Sequence, residues 1–129
     1  MKSSPAPSPD GSVIYFGSGD SYLYAVDAGS GQLKWKFQTG DWVASSPTLS
    51  PDGSVVYVGS YDNYLYAVDS GSGQFKWKFQ TGYPVKSSPA PSPDGSVVYV
   101  GSRDSYLYAV NAQSGLLPLL LAAPFHPEM

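Results

Sequence analysis

The chain is built from three near-copies of one unit. Segments beginning at Ser3, Ser45 and Ser87 repeat almost residue for residue, which gives the 129-residue sequence a period of 42. A unit of that length with several short strands cannot bury its apolar residues alone and must stack against its neighbours. The period therefore constrains the fold before any single residue is considered, and constrains function much less.

The middle copy reads most clearly. Ser54-Val55-Val56-Tyr57-Val58-Gly59-Ser60 and Tyr64-Leu65-Tyr66-Ala67-Val68-Asp69 are β-branched and aromatic runs bounded by turn residues, hence strands. Both are apolar on both faces and need cover on two sides. In Gln74-Phe75-Lys76-Trp77-Lys78-Phe79-Gln80, strict alternation places Phe75, Trp77 and Phe79 on one face and the lysines on the other, as in an outer strand with one wet face. Pro51-Asp52-Gly53, Tyr61-Asp62-Asn63 and Gly71-Ser72-Gly73 supply the turns.

The remaining strand of the first copy, Ser3 to Pro9, has proline at every second position: Pro5, Pro7 and Pro9. Backbone N–H groups of a strand point alternately to its two sides, so these prolines blunt one edge and leave Ser4, Ala6 and Ser8 to pair. Such a strand belongs innermost, its blunted edge toward an axial channel. The expected fold is all-β, a partial β-propeller of three four-stranded antiparallel blades over residues 3–44, 45–86 and 87–115, with residues 116–129 a degenerate apolar tail. That tail puts Leu119 in the place of a repeated tryptophan, which leaves the outer strand of the third blade unspecified.

Ala25-Val-Asp27-Ala-Gly-Ser-Gly31-Gln-Leu-Lys-Trp35 and Ala67-Val-Asp69-Ser-Gly-Ser-Gly73-Gln-Phe-Lys-Trp77 resemble the tryptophan-docking motif of pyrroloquinoline-quinone-type (PQQ-like) propellers, AxDxxTGxxxW, with Ser for Thr. The resemblance covers about residues 3–115. It implies that each indole docks on the corresponding motif of a neighbouring blade, near its glycine, so Trp35 and Trp77 are packing residues and not ligand platforms. It also implies a periplasmic or extracytoplasmic location, although Met1-Lys2-Ser3 enters the repeat with no apolar leader and the run Leu116–Phe125 is too short to cross a bilayer.

Catalytic chemistry finds little to use. The one histidine, His126, and the one glutamate, Glu128, lie in the tail, and eight of the nine aspartates recur at turn positions, where they hold turns. Quinone-dependent dehydrogenases of the resembling type use a channel tryptophan, an adjacent cysteine pair and a calcium held by acidic and amide side chains. With no cysteine in the chain and no glutamate in its repeats, neither PQQ nor calcium is expected, since a hard cation needs several converging oxygens. A net charge of −3 gives no electrostatic footprint for nucleic acid.

The copies differ most at Gly19/Tyr61/Arg103, Asp41/Tyr83, Trp42/Pro84 and Ala44/Lys86. All lie in the links between second and third strands or between blades, which open on one end of a propeller. Binding residues concentrate on such loops, and Trp, Tyr and Arg are the types enriched at interfaces. Asp41, Trp42, Tyr61, Tyr83, Lys86 and Arg103 are therefore the candidate face for a protein or peptide partner, although loops free of constraint would vary in the same way. Propellers typically close with 4–8 blades, so three blades imply a longer protein or copies joined head to tail, two chains making six blades the simplest case. A non-catalytic binding or scaffolding module is the first functional reading. A fragment of a PQQ-dependent dehydrogenase lacking its active-site blades is the second, and a repeat array without selected function the third.

Overall fold

A computed structural model describes residues 4–101, 106–116 and 123–124. The described residues contain no helix. Each repeat folds into one antiparallel four-stranded sheet whose strands are adjacent in chain order. The first sheet comprises β1 (Ala6–Pro7), β2 (Val13–Gly17), β3 (Tyr22–Asp27) and β4 (Leu33–Gln38). The second comprises β5 (Thr48–Leu49), β6 (Val55–Gly59), β7 (Tyr64–Asp69) and β8 (Phe75–Gln80). The third comprises β9 (Ala90–Pro91), β10 (Val97–Gly101), β11 (Tyr106–Asn111) and β12 (Ala123–Pro124). This is a partial β-propeller of three blades.

Two departures from the simple strand pattern have clear causes. The inner strands are two residues long, because prolines remove alternate donors and only the other edge pairs; the N–H groups of Ser8, Ser50 and Ser92 donate to the carbonyls of Val13, Val55 and Val97 at 2.7–2.9 Å. In the outer strands the register slips between Ala67 and Val68, so that Trp77 pairs with Ala67 while Phe75 pairs with Val68. A bulge of this kind sends Phe75 to the opposite face from Trp77, against Phe37 of the preceding blade at 6.2 Å between rings. Strict alternation had placed Phe75, Trp77 and Phe79 together. The third sheet takes its fourth strand from the tail, where Ala123 and Pro124 pair with Leu107 and Tyr106.

The core lies between the sheets. Tyr15, Leu23, Ala25 and Trp35 of the first pack on Val56, Val58, Tyr66 and Val68 of the second. Shifted by one repeat, Tyr57, Leu65, Ala67 and Trp77 pack on Val98, Val100 and Val110 of the third. The central sheet is thus buried on both faces, as its two-sided apolar strands require. On the far side of the third sheet the equivalents of Tyr57 and Leu65 lose that cover: Tyr99 is 41% exposed against 2% for Tyr57.

Each blade's first hairpin is tied by an aspartate. The Oδ1 of Asp52 accepts from the hydroxyls of Ser50 and Ser54 and the N–H of Ser54 at 2.7–3.0 Å, and Asp10 and Asp94 repeat the arrangement. These donors hold all three carboxyls at about 2, below the ordinary 3.8, led by the Ser12 N–H for Asp10, the Ser50 hydroxyl for Asp52 and the Ser96 N–H for Asp94. A carboxyl depressed in the folded chain binds fewer protons there than in the unfolded chain between about pH 4 and pH 2. Its contribution is therefore complete above that window and is lost as pH falls through it. Thermal melts between neutral pH and pH 2 should show a plateau and then a decline beginning near pH 4. Asp52→Asn should make the decline shallower; an unchanged slope would remove the hairpin carboxylates as its cause.

Candidate functional site

The turns between second and third strands and the links between blades share one end of the molecule. Backbone bonds fasten that end. The N–H of Val43 donates to Ser18 of the first blade at 3.2 Å, and the N–H of Tyr61 in the second blade donates to the carbonyl of Trp42 at 2.8 Å. Beneath them, the buried Ser60 hydroxyl bonds the carbonyls of Asp41 and Trp42 at 3.3 and 3.2 Å. Asp62 reaches across the joint to accept from the Gly40 N–H at 2.8 Å and also accepts from the Tyr66 hydroxyl. Burial, then the Asp62 carboxylate, push the Tyr66 hydroxyl's pKa upward. The link is a fixed bridge and not a slack tether.

On this frame Trp42 and Tyr61 meet face to tilted face, with ring centroids 4.7 Å apart at 35°. The Lys86 ammonium, arriving from the next link, stands 5.4 Å from the Tyr61 ring centroid, within cation–π range. Together with Ala44 these three line a cavity of about 110 Å³. Gly19 leaves room beside the indole: a methyl group there would sit 3.9 Å from the Trp42 ring. Three side chains from two links and one turn, separated by up to 44 positions in sequence, make one surface.

The other sequence candidates are placed around it. Asp41 is exposed and its Oδ1 accepts from the Trp42 N–H at 2.7 Å, fixing the start of the link. Tyr83 is 55% exposed, its carbonyl held by the Thr81 hydroxyl at 2.6 Å. Arg103 lies outside the described residues. Ala44 and Gly19 differ between copies but carry no functional group, so only their position beside the rings draws attention to them.

The docking residues lie at the opposite end and flank. The Trp35 indole covers Gly73 and donates its Nε1–H to the Ser70 carbonyl at 2.9 Å; Trp77 covers Gly115 and donates to Ala112 at 2.8 Å. Ala25 and Ala67 are fully buried beneath those strands. The carboxylates of Asp27 and Asp69 accept from the N–H groups two and three residues on, shaping the turns that end in Gly31 and Gly73.

That end also holds a broader cleft of about 680 Å³ between the second and third blades, lined by Asp52, Lys76 and Asp94 among others. Its two carboxylates are already committed to their own hairpins. Among the described residues no three His, Cys, Asp or Glu side chains come together as a metal would require. No helix among them is long and apolar enough to cross a membrane.

Comparison with known proteins agrees with this architecture. A family model described as outer membrane protein assembly factor BamB matches residues 1–118. The crystal structure of BamB from Moraxella catarrhalis resembles the fold with a TM-score of 0.80 at 21% identity, over 95% of this chain and 36% of that one. The chain thus spans about a third of the length of that structure. No curated protein matches it significantly.

Proposed function

The chain belongs to the PQQ-like propeller family described as outer membrane protein assembly factor BamB, and on that premise we propose that it is a non-catalytic module that binds a protein partner in outer-membrane assembly. The observation that carries this reading is the convergence of Trp42, Tyr61 and Lys86 on a fixed frame at the end where the copies diverge. Tyr and Trp give large contact area at low entropic cost, and such anchors dominate interface energies. The Lys86 ammonium over the Tyr61 ring adds a positive charge to this face, suited to a partner's carboxylate. The module reading uses only residues of this chain, whereas an oxidoreductase reading needs ligands from blades beyond it.

The test is photocrosslinking. Benzoyl-phenylalanine at position 83, beside the aromatic pair's end of the molecule, should yield a discrete adduct with another protein in cells making the chain. The adduct should fall at least about tenfold when Trp42 and Tyr61 are both alanine, since paired hot spots each cost about 2 kcal/mol or more. The same probe at Lys76, which is exposed but lies in an outer strand away from that end, serves as control. Equal adducts from both positions, or none from position 83, would overturn the proposal.

A further inference from the structure

The two joints between blades use the same parts but close to different degrees. At the first, the Ser70 hydroxyl ties its turn to the hairpin by donating to the Gly53 carbonyl at 2.6 Å, and the Tyr15 hydroxyl crosses the joint to the Ser70 carbonyl at 3.2 Å. At the second, Ala112 takes the place of Ser70 and has no hydroxyl to give. The ring of Pro51 lies 3.6 Å from a Cβ built on Gly95, against 2.8 Å for Pro9 and Gly53 at the first joint. The cleft of about 680 Å³ opens at this looser joint.

Tyr57 registers the difference. It is 2% exposed, as Tyr15 is 3% exposed, and its ring lies 5.9 Å from Trp77 as that of Tyr15 lies 5.8 Å from Trp35. Yet among the described residues nothing hydrogen-bonds the Tyr57 hydroxyl. Burial, then the Asp52 charge, push its pKa up, without the opposing bond that Ser70 provides at Tyr15. No side-chain nitrogen or oxygen among the described residues is both enclosed and without a partner, so this hydroxyl is the part of Tyr57 that opens into the cleft it lines.

The charges around that hydroxyl are fixed. Asp52 and Asp94, one from each blade, bond their hairpin serines through Oδ1 alone, and a carboxylate engaged through one oxygen keeps the other as an acceptor. With both carboxyls held at about 2, each stays ionised at neutral pH. Pro51, Val55 and Ala112 add apolar wall, Lys76 an ammonium, and Gln113 a carboxamide where the other copies have Gly29 and Gly71. Two carboxylates and a hydroxyl call for a cation with several spread donors. A guanidinium supplies five in a planar fork and rests its weakly hydrated faces on apolar surface, whereas an ammonium concentrates three at one point. Lys76 suits an anionic group on the same ligand.

We propose that the cleft between the second and third blades binds free arginine, its guanidinium held by Asp52, Asp94 and the Tyr57 hydroxyl and its carboxylate by Lys76. The volume lies within the roughly 300–1,000 Å³ usual for small-molecule sites. The cleft is at the other end of the molecule from Trp42 and Tyr61, so the site is separate from the proposed partner face.

The test titrates the full chain, isotope-labelled for amide NMR, with arginine, with citrulline as the uncharged isostere, and with Nα-acetylargininamide as the stand-in for an arginine within a peptide. Arginine should produce saturable shifts at Gly95 and Gln113 and leave Gly71 and Tyr61 unmoved. Citrulline should bind at least about tenfold more weakly, since hydrogen bonds to charged groups are the stronger kind. Asp94→Asn, which retains Oδ1 for the hairpin serines, should weaken arginine to a similar degree. Tyr57→Phe removes a hydroxyl that the fold does not use, so it should weaken arginine about threefold and leave the thermal midpoint unchanged. Any of four results would overturn the proposal: no saturable shift at millimolar arginine, citrulline binding as tightly as arginine, Nα-acetylargininamide doing so, or Tyr57→Phe with undiminished affinity.

Discussion

Trp77→Ala is expected to lower the unfolding free energy by about 4–5 kcal/mol, and Trp35→Ala by about 3–4 kcal/mol, within the range for deleting a buried indole. Against a domain stability of roughly 5–15 kcal/mol, either change removes a large share of what holds the blades together. The difference between them comes from the acceptors. Both indoles are almost fully buried and both donate to a carbonyl of the next blade. When Trp35 is removed, the Ser70 carbonyl still receives the Tyr15 hydroxyl at 3.2 Å. When Trp77 is removed, the Ala112 carbonyl loses the indole donor at 2.8 Å, and an unsatisfied buried acceptor costs about 1–3 kcal/mol. Trp77→Phe, which keeps most of the packing and loses the N–H, should fall between wild type and Trp77→Ala. Urea titrations followed by circular dichroism measure all three. A loss below about 1 kcal/mol for Trp77→Ala would mean that the joints are held by the strands' aliphatic residues alone.

The period of 42 made the blades, their order and the antiparallel pairing readable from sequence, because each level of the pattern repeats and agrees with itself. The tryptophan turns were readable for the same reason: Asp27 and Asp69, with Gly31 and Gly73, recur at fixed offsets from an indole. What the sequence concealed were effects of register and of three-dimensional neighbourhood. The slip between Ala67 and Val68 adds one residue to a strand and so reverses the face of Phe75, which no two-residue period can signal. At the candidate face, divergence between copies singled out six positions, but not which of them touch. Trp42 meets Tyr61 because the Tyr61 N–H bonds the Trp42 carbonyl, and Lys86 joins them from the next link. Asp62 showed the opposite weakness. Its recurrence marked it as a turn residue, yet its carboxylate also crosses the joint to Gly40, a bond that only the stacking of one blade on another creates.

The frame beneath that face makes the second large effect a matter of one methyl group. Gly59→Ala is expected to cost about 3 kcal/mol or more, the upper end of what overpacking a core does. A Cβ at Gly59 would lie 2.4 Å from the Val85 Cγ1, 2.7 Å from its Cβ and 2.7 Å from its carbonyl oxygen. The clash with Cγ1 is eased by a rotamer change, but the Val85 Cβ and carbonyl are placed by a backbone that cannot retreat. Val85 is fully buried, and its N–H is held by the Ser60 carbonyl at 3.1 Å. Gly17→Ala meets Val43 in the same way, but with the carbonyl at 3.2 Å, so it should be the milder of the two. Trimming the neighbour separates the two contributions. Val85→Ala removes the Cγ1 contact and leaves the carbonyl in place, so the Gly59→Ala/Val85→Ala pair should regain only part of the loss, a non-additivity expected of residues in contact. The same displacement should be felt at the surface, because Val85 lies between Tyr83 and Lys86. Any outward shift of the link draws Lys86 from the Tyr61 ring, so crosslinking from position 83 should weaken even where the variant remains folded. Melts and crosslinking of Gly59→Ala thus test one coupling twice, and a variant within about 0.5 kcal/mol of wild type would show that the link yields where the packing says it is fixed.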